Sequence, residues 1–570
     1  MHRSKMPELT PYPLAGLVAR VFAELEQNGG IFDLPTHRFD HGRTLVDTRV
    51  AIHGRSAGAP LGPSAGPHTQ MAQGIVLSWL GGGRFMELKT VQRNDALRIP
   101  RPCIDVRGFA LNVEWSQELR LEQSLEEYVK ASMLIEILAR HFRVEPACLF
   151  DMSAGYDLDG IRSDRMIAFM RGLIDARATV DRLRRELSAP WRDLDFTTNI
   201  ANSVTLSTFH GCPADEIEKI AEFLMSEVGV ECAIKLNPTL LGRTALHEIL
   251  HDRLGWTNVV VPAEAFEKEA TWNAAAAIVE RLRARARELG RSFAVKLTNT
   301  LVVENHSDFL PQSERLAYLS GPPLHVLAMH LVARFRKTFG ASLPISFSAG
   351  IDAHNYPDAV ALGLAPVTVC TDLLKSGGYA RLRAYGTALE ERMQRAGAAR
   401  IADFAHANID AYLDALDRDP RYSRNQAEHI AHKTGHPLAL FDCSTCDLCI
   451  SACPTDANMR LRSLDSSIPF SRRHQIANFA DFCNDCGNCE VVCPDVGAPH
   501  RTKMRFFGSE DAWRRNPSLD GFWIGPEVTL ARINGAEYDD DSSHPLVRYA
   551  RQAALDRTHI NYINAITSTR

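Results

Sequence analysis

The sequence has no long apolar run and no excess of positive charge. None of its runs approaches the roughly 18 apolar residues of a membrane-spanning helix, and residues 1–13 lack the apolar stretch of a secretory signal. The formal net charge of -5 gives no basic footprint for nucleic acid or anionic lipid. We therefore expect a cytoplasmic protein whose partners are proteins and small molecules, with no nucleic acid and no membrane among them.

A dinucleotide-binding pattern is also missing. No G-x-G-x-x-G follows a strand-like run, and the glycines at residues 81–83 stand before such a run, as in a loop. Apolar residues make up 45% of the 570 residues, which is ordinary globular usage. The length allows several domains, or one large barrel with smaller attachments. The missing glycine pattern predicts that none of these is a dinucleotide-binding module.

Cysteine, in contrast, is concentrated in one part of the chain. Eight of the 13 cysteines lie between Cys443 and Cys493. A disulfide framework is typical of small secreted domains, whereas clustering of this kind in a long chain indicates a metal site.

These eight cysteines form two runs of the pattern C-x2-C-x2-C-x3-C-P. In two-cluster ferredoxins, the fourth cysteine of each run ligates the other cluster. We therefore assign Cys443, Cys446, Cys449 and Cys493 to one [4Fe–4S] cluster, and Cys483, Cys486, Cys489 and Cys453 to the other. A pair of zinc sites is the alternative, but zinc prefers paired two-cysteine knuckles.

From about residue 58 to residue 374, short apolar runs alternate with helical patterns, which predicts an α/β fold with a parallel sheet. Each run ends in polar or glycine residues, at 86–90, 150–153, 204–208, 234–237, 295–300, 345–350 and 369–372. This pattern is typical of a (β/α)8 barrel, whose chemistry lies at the carboxyl ends of the strands. Counting residues 258–261 gives about nine runs, one more than a barrel needs.

Two features of these runs predict a ligand. Lys89, Lys235 and Lys296 lie inside apolar strands, where an unpaired ammonium is costly, so at least one should meet an anionic or electron-rich ligand. The segments SAG at 348–350 and SGGY at 376–379 follow the last two strands. Barrels of this type bind phosphate there, with glycine permitting close approach.

Several motifs carry a family resemblance. They are GPSAGPHT at 62–69, ELKT at 87–90, HGCP at 210–213, KLNPT at 235–239, KLTNT at 296–300 and TDLLK at 371–375. Over roughly residues 15–500 the chain resembles the selenate reductase iron–sulfur subunit family. More distantly, it resembles the FMN barrel and ferredoxin module of dihydropyrimidine and dihydroorotate dehydrogenases, which implies a barrel of the dihydroorotate dehydrogenase type.

The resemblance implies specific site residues. FMN would be bound by Lys89, Asn112, Lys235, Asn299, Thr300, Gly350, Thr371, Gly377 and Gly378. Cys212 and His210 are rival proton donors, because HGCP runs directly into a predicted helix at residues 214–217. In the dehydrogenases, the acid–base cysteine lies on a longer loop that this sequence lacks.

We predict three domains: an FMN-type barrel with an N-terminal extension at 1–430, a bacterial-ferredoxin-like domain at 431–500 and a C-terminal extension at 501–570. The extension either packs on the protein or contacts a partner. The predicted function is that of an iron–sulfur flavoprotein oxidoreductase subunit. FMN would exchange a hydride with a double bond of a small, heterocyclic substrate.

Electrons would pass through the two clusters from or to a separate FAD- and NAD(P)H-binding reductase like the glutamate synthase small subunit, or another electron-transfer protein. Dihydropyrimidine dehydrogenases carry such a module, whereas this sequence has none. The alternative function is a non-catalytic electron-transfer scaffold of a selenate-reductase-like complex with an FMN-free barrel.

Overall fold

The computed structural model describes residues 8–567 except 41, 43–44, 96–98, 114–115, 208–211, 425–432, 465–466 and 541–543. Its largest sheet has eight parallel strands in the spatial order β1-β8-β7-β6-β5-β4-β3-β2. They are β1 (Leu61–Pro63), β2 (Phe85–Glu87), β3 (Leu149–Ala154), β4 (Ala201–Ser207), β5 (Glu231–Leu236), β6 (Phe293–Leu297), β7 (Ile345–Phe347) and β8 (Val367–Val369).

The first and second strands close this sheet into a barrel. The backbone N–H of Arg84 donates a hydrogen bond of 2.7 Å to the carbonyl oxygen of Leu61. A Cβ atom on Gly62 would lie 1.5 Å from the carbonyl oxygen of Phe85. Glycine is therefore required at this position for the two strands to approach each other.

One main helix follows each strand and packs outside it, as the βα alternation predicts. These are α1 (Ala72–Leu80), α2 (Leu121–Phe142), α3 (Asp164–Ile174), α4 (Ala214–Phe223), α5 (Trp272–Glu288), α6 (Pro322–Phe339), α7 (Tyr356–Ala361) and α8 (Leu382–Arg395). Further helices in this region are Leu14–Asn28, Leu158–Ile161, Arg177–Arg184, Arg243–His247, Ala263–Lys268, Ile401–Phe404 and Ile409–Leu416.

The extra run at residues 258–261 is not a strand. The backbone N–H of Val259 donates to the carbonyl oxygen of Trp256, which closes a turn. The carbonyl oxygen of Val260 then accepts a hydrogen bond from the backbone N–H of Glu304. With this run removed, the barrel has its eight strands. Lys235 lies inside the fifth strand, as predicted, whereas Lys89 follows the end of the second strand by two residues.

A four-stranded sheet is inserted at the carboxyl end of the barrel, and we call it the insert sheet. Its strands are Ile104–Asp105, Ala110–Asn112, Leu301–Glu304 and Leu316–Ser320, and they pair in antiparallel fashion. The first two strands come from the β2–α2 connection and the last two from the β6–α6 connection. Two short antiparallel pairs, Gly30–Ile31 with Leu34–Pro35 and Val50–Ile52 with Arg55–Ala57, precede β1.

The C-terminal part of the chain forms a six-stranded sheet. Its strands are β9 (Asn458–Arg462), β10 (His474–Phe479), β11 (Met504–Phe507), β12 (Gly521–Ile524), β13 (Thr529–Ile533) and β14 (Ala536–Tyr538). The helices beside it are Leu448–Ser451, Asn488–Val492, Pro499–Thr502, Glu510–Arg515, Pro545–Leu555 and Tyr562–Thr567. Because β11 pairs with β10 in parallel, one sheet joins the segments that the sequence analysis separates at residue 500.

The aromatic residues of this last segment are mostly internal. Phe506, Phe507, Trp513 and Phe522 are buried in the described structure. Their burial agrees with the interpretation of the tail as a packing extension. Within the described residues, no helix is both long enough and apolar enough to cross a membrane.

Candidate functional site

A cavity of about 360 Å³ opens at the carboxyl ends of the barrel strands, beneath the insert sheet. We call it the main cavity, and its volume is within the range of small-molecule sites, about 300–1,000 Å³. Seven of the predicted flavin residues line it: Lys89, Asn112, Lys235, Asn299, Thr300, Gly350 and Thr371. The fold therefore brings together side chains from β2 to β8 that are far apart in sequence.

A buried ion pair lies within the barrel at the base of this cavity. Lys296 donates to the Glu87 carboxylate and, over 3.2 Å, to the hydroxyl of Thr368. Burial raises the pKa of Glu87, but the charges of Lys296 and Lys235 outweigh that effect and hold the pKa below its usual range. Lys296 thus has a carboxylate partner within the protein. Lys89 and Lys235 line the main cavity, whereas Lys296 does not.

We expect Lys296→Met to destabilise the barrel by about 3–5 kcal/mol, because it leaves the Glu87 carboxylate buried without its partner. The measurement is the urea midpoint of unfolding. The double variant Lys296→Met, Glu87→Leu removes both charges and should recover most of the loss. A single variant as stable as the wild type would show that the pair contributes no stability.

The Lys235 ammonium also borders the main cavity. Burial, reinforced by the positive charges of Lys296 and Lys89, lowers the pKa of Lys235 to about 8. Lys235 therefore remains largely protonated at neutral pH and loses its charge as the pH rises through about 8. The base of the cavity holds more positive than negative charge, which favours an anionic or electron-rich ligand.

The loops after β7 and β8 meet at one end of the main cavity. Gly350 has φ +50°, and a Cβ atom there would lie 2.3 Å from the carbonyl oxygen of Gly321, just before α6. The hydroxyls of Thr371 and Ser320 are hydrogen-bonded over 2.9 Å. The predicted glycine contact thus has a structural reason at Gly350, since only glycine fits so close to the backbone.

Gly377 and Gly378 are not among the residues that line the main cavity. The backbone N–H of Gly377 donates to the Ser451 hydroxyl over 3.4 Å, and a Cβ atom on Gly378 would lie 1.7 Å from the carbonyl oxygen of Ser451. Both glycines also have positive φ. They allow the cysteine-rich domain, which is the predicted ferredoxin-like segment at 431–500, to approach the barrel, so their conformation is explained without a phosphate.

The two predicted proton donors are placed differently. Cys212 lines a small second cavity, which it shares with Lys235, Asn237 and Thr239, and it does not line the main cavity. Burial and the nearby carboxylates raise the pKa of the Cys212 thiol to about 12. His210 lies outside the described residues. Lys235 is the side chain that borders both cavities.

The eight cysteines of the two C-P runs surround two small cavities. Cys453, Cys483, Cys486 and Cys489 line one, which we call the barrel-side cysteine cavity, and Cys443, Cys446, Cys449 and Cys493 line the other, the outer cysteine cavity. Each cavity receives three cysteines from one run and the fourth from the other, as the crossed ligation requires. In the described structure, all eight are free of disulfides.

Across the described part of the chain, no three or more His, Cys, Asp or Glu side chains converge on the position of a single metal ion. The four cysteines around each cavity surround a space between them. The choice of two [4Fe–4S] clusters over a pair of zinc sites stays a prediction.

The barrel-side cysteine cavity is next to the main cavity. The backbone N–H groups of Cys103 and Ile104 both donate to the carbonyl oxygen of Cys486 over 3.0 Å, and Ile104 lines the main cavity. Asn488 donates to the carbonyl oxygen of Leu374, which lines it as well. A single layer of residues therefore separates the main cavity from the loop that carries Cys486.

Comparison with known proteins identifies the barrel. Residues 32–424 match the family described as the N-terminal TIM-barrel domain of the oxidoreductase YgfK. The chain belongs to this family. The match confirms the predicted (β/α)8 barrel. The name of the family agrees with the predicted oxidoreductase class, whereas the resemblance to selenate reductase iron–sulfur subunits stays a prediction.

YgfK of Escherichia coli (strain K12) is 38% identical over 407 residues, which cover 67% of this chain and 39% of that protein. The chain thus spans about two-fifths of the length of this curated relative. The ketoisovalerate oxidoreductase subunit VorC of Methanothermobacter marburgensis is 32% identical over 57 residues, or 10% of this chain and 67% of VorC. Ligand-free DHODH from Eimeria tenella is 17% identical, with a TM-score of 0.45, covering 68% of this chain and 98% of that one.

Several residues of the main cavity were not predicted from the sequence. They are Ser64 after β1, Tyr156 after β3, and Tyr318 and Ser320 on the insert sheet. Tyr156 follows a predicted strand end by a few residues, so extending each strand end would have found it. No pattern in the sequence indicated Tyr318, because this residue reaches the cavity only through the pairing of two strands that are distant in the sequence.

Proposed function

We propose that this chain is an iron–sulfur flavoprotein oxidoreductase subunit with FMN in the main cavity. The observation that carries the proposal is the convergence of Lys89, Lys235 and Asn299 on one cavity whose wall touches the Cys486 loop. Bound FMN would exchange a hydride with a double bond of a small, heterocyclic substrate.

The end of the main cavity near α6 would hold the FMN phosphate. Gly350 permits close approach of the backbone there, and the hydroxyls of Thr371 and Ser320 lie at the same end. Such an end, formed by the loops after the last two strands, is where barrels of this type bind phosphate. Gly377 and Gly378 would contribute indirectly, by shaping the loop that follows β8.

Lys89 and Lys235 would hold the flavin ring from the barrel side. Their ammonium groups favour an electron-rich ring, and Lys235 keeps its charge at neutral pH because its pKa is about 8. Asn112, Asn299 and Thr300 would supply the neutral polar contacts. The side-chain amide of Asn112 donates to the carbonyl oxygen of Tyr318 over 3.3 Å, which fixes it beside the cavity.

Cys212 and His210 are our candidates for the group that holds the transferred proton. Cys212 lies on the far side of Lys235 from the main cavity. With a pKa of about 12 its thiol stays protonated at neutral pH, so it can hold a proton but gives it up only to a strongly basic atom. Lys235, between the two cavities, is placed to orient that exchange.

The four cysteines around each of the two cysteine cavities would together hold one [4Fe–4S] cluster. Each cluster would carry single electrons. Cys446 is exposed, whereas Cys483, Cys486 and Cys489 are buried against the barrel. A separate FAD- and NAD(P)H-binding reductase, similar to the glutamate synthase small subunit, would dock at the outer cysteine cavity. The scaffold alternative, with an FMN-free barrel, leaves the convergence of seven predicted flavin residues unexplained.

The test is the cofactor content of anaerobically purified protein. We expect one FMN per chain after release by denaturation, with about eight iron and eight acid-labile sulfide atoms, since two cubanes hold four of each. Chromatography identifies the flavin and metal analysis counts the iron. Clusters without any FMN uptake would support the scaffold, and zinc in place of iron would refute the cluster assignment.

A further inference from the structure

A histidine lies against one of the sulfurs of the barrel-side cysteine cavity. The Nδ1 atom of His500 is 3.2 Å from the Sγ atom of Cys489, within reach of a hydrogen bond to sulfur. His500 belongs to the short helix Pro499–Thr502, is 2% exposed and lines that cavity together with Cys453, Cys483 and Cys486. The ring is thus fixed between the protein interior and a predicted cluster ligand.

The other ring nitrogen of His500 is also engaged. Its Nε2 atom is hydrogen-bonded to the carboxylate of Asp485, which lies between Cys483 and Cys486 in the sequence. Arg501 donates to both oxygens of that carboxylate, over 2.8 and 2.7 Å. Asp485 is therefore held in place from a second side, and it in turn fixes the orientation of the histidine ring.

We propose that His500 raises the midpoint potential of the barrel-side cluster by donating its Nδ1–H to the sulfur of Cys489. The inference rests on the proposed function, because it requires a [4Fe–4S] cluster on these four cysteines. A metal-bound thiolate is an acceptor, so the Nδ1 atom of His500 is the donor in its contact with Cys489. A hydrogen bond to a ligating sulfur stabilises the more negative, reduced cluster, and outer groups of this kind tune its potential.

Among the described residues, the outer cysteine cavity has no comparable contact between a histidine and a cysteine sulfur. Histidine is not among the described residues that line it, and its Lys503 donates instead to the carbonyl oxygens of Ala439 and Leu440. His474 is hydrogen-bonded over 2.8 Å to Asp447, which lines that cavity, rather than to a cysteine sulfur. The proposed tuning therefore acts on the barrel-side cluster and not on the outer one.

The experiment is a redox titration of the full-length holoprotein followed by electron paramagnetic resonance. His500→Leu removes the donor and should lower the potential of the barrel-side cluster. We expect at least a tenfold change in the ratio of reduced to oxidised cluster at a fixed potential, which is about 59 mV for one electron. His500→Gln keeps an N–H donor and should recover part of the shift. The signal that Cys486→Ala abolishes identifies the barrel-side cluster.

His474→Gln is the matched control, and it should leave the barrel-side potential unchanged. An unaltered potential in His500→Leu, with eight iron atoms retained, would overturn the inference while leaving the proposed function intact. Wild-type protein without iron would overturn both. If His500→Leu does not assemble its cluster, Asp485→Glu provides the second measurement, because it keeps the negative charge but displaces the carboxylate that orients the ring. A smaller negative shift supports the inference, and no shift overturns it.

Discussion

Cys453→Ala should lose the barrel-side cluster rather than the cluster of its own sequence run. The iron content should fall from about eight to about four atoms per chain, because the side chain lines a cavity with Cys483, Cys486 and Cys489. The sulfur of Cys453 also accepts a hydrogen bond from the backbone N–H of Ala457 over 3.2 Å, and Ala457 lines the same cavity.

The iron count alone does not identify which cluster is lost, so four variants are needed. The comparison uses the electron paramagnetic resonance spectrum of the cluster that remains in each variant. Crossed ligation predicts that the spectrum of Cys453→Ala matches that of Cys486→Ala, and that the spectrum of Cys493→Ala matches that of Cys446→Ala. Uncrossed ligation predicts the opposite pairing, with Cys453 grouped with Cys446. Spectra sorted in that second way would refute the assignment even if every variant retained four iron atoms.

The strands of the barrel could be predicted because burial on both faces leaves a continuous apolar run. The run at β6, FAVKL, is an example: all five of its residues are buried, including Lys296. The polar residues that follow such runs could be assigned to one face of the fold for the same reason, since parallel strands end on the same side of a barrel. The cavity positions of Lys89, Lys235 and Asn299 follow from this rule.

The partner of Lys296 could not be predicted. Glu87 is 209 residues away in the sequence and lies on β2, across the barrel from β6. An apolar strand with one lysine indicates only that the charge needs a partner; whether that partner is a ligand or a carboxylate depends on packing between distant strands. The insert sheet was missed for a similar reason, because its pairing joins residues 110–112 to residues 318–320.

The glycines in the sequence predicted that the backbone would approach another group closely, but not which group. The SGGY segment predicted a close approach, and Gly378 does make one, but to Ser451 of the cysteine-rich domain. The domain boundary at residue 500 was placed by the end of the cysteine motif. It does not coincide with a structural break because β11, which starts at Met504, extends the sheet of the same domain.

Lys89→Ala should release FMN while leaving both clusters intact. Lys89 lines the main cavity after β2, whereas the described cysteine cavities contain no barrel lysine, so the substitution should affect only the flavin. Hydrogen bonds to charged groups contribute about 1.5–3 kcal/mol, which corresponds to a roughly ten- to hundredfold weaker Kd. The measurement is a titration of flavin-depleted protein with FMN, followed by flavin fluorescence.

Lys375→Ala is the matched control for this variant. Lys375 lies after β8 at the same end of the barrel, but its side chain is 41% exposed and lies 3.6 Å from Asp372, outside the lining of the main cavity. Its loss should leave the Kd for FMN within about twofold of the wild type, as expected for a surface charge. Equal Kd values for Lys89→Ala and Lys375→Ala, with iron at eight atoms in both, would show that the flavin does not contact Lys89. Selective loss in Lys89→Ala would instead place the ring against the base of the barrel, beside the wall that separates it from Cys486.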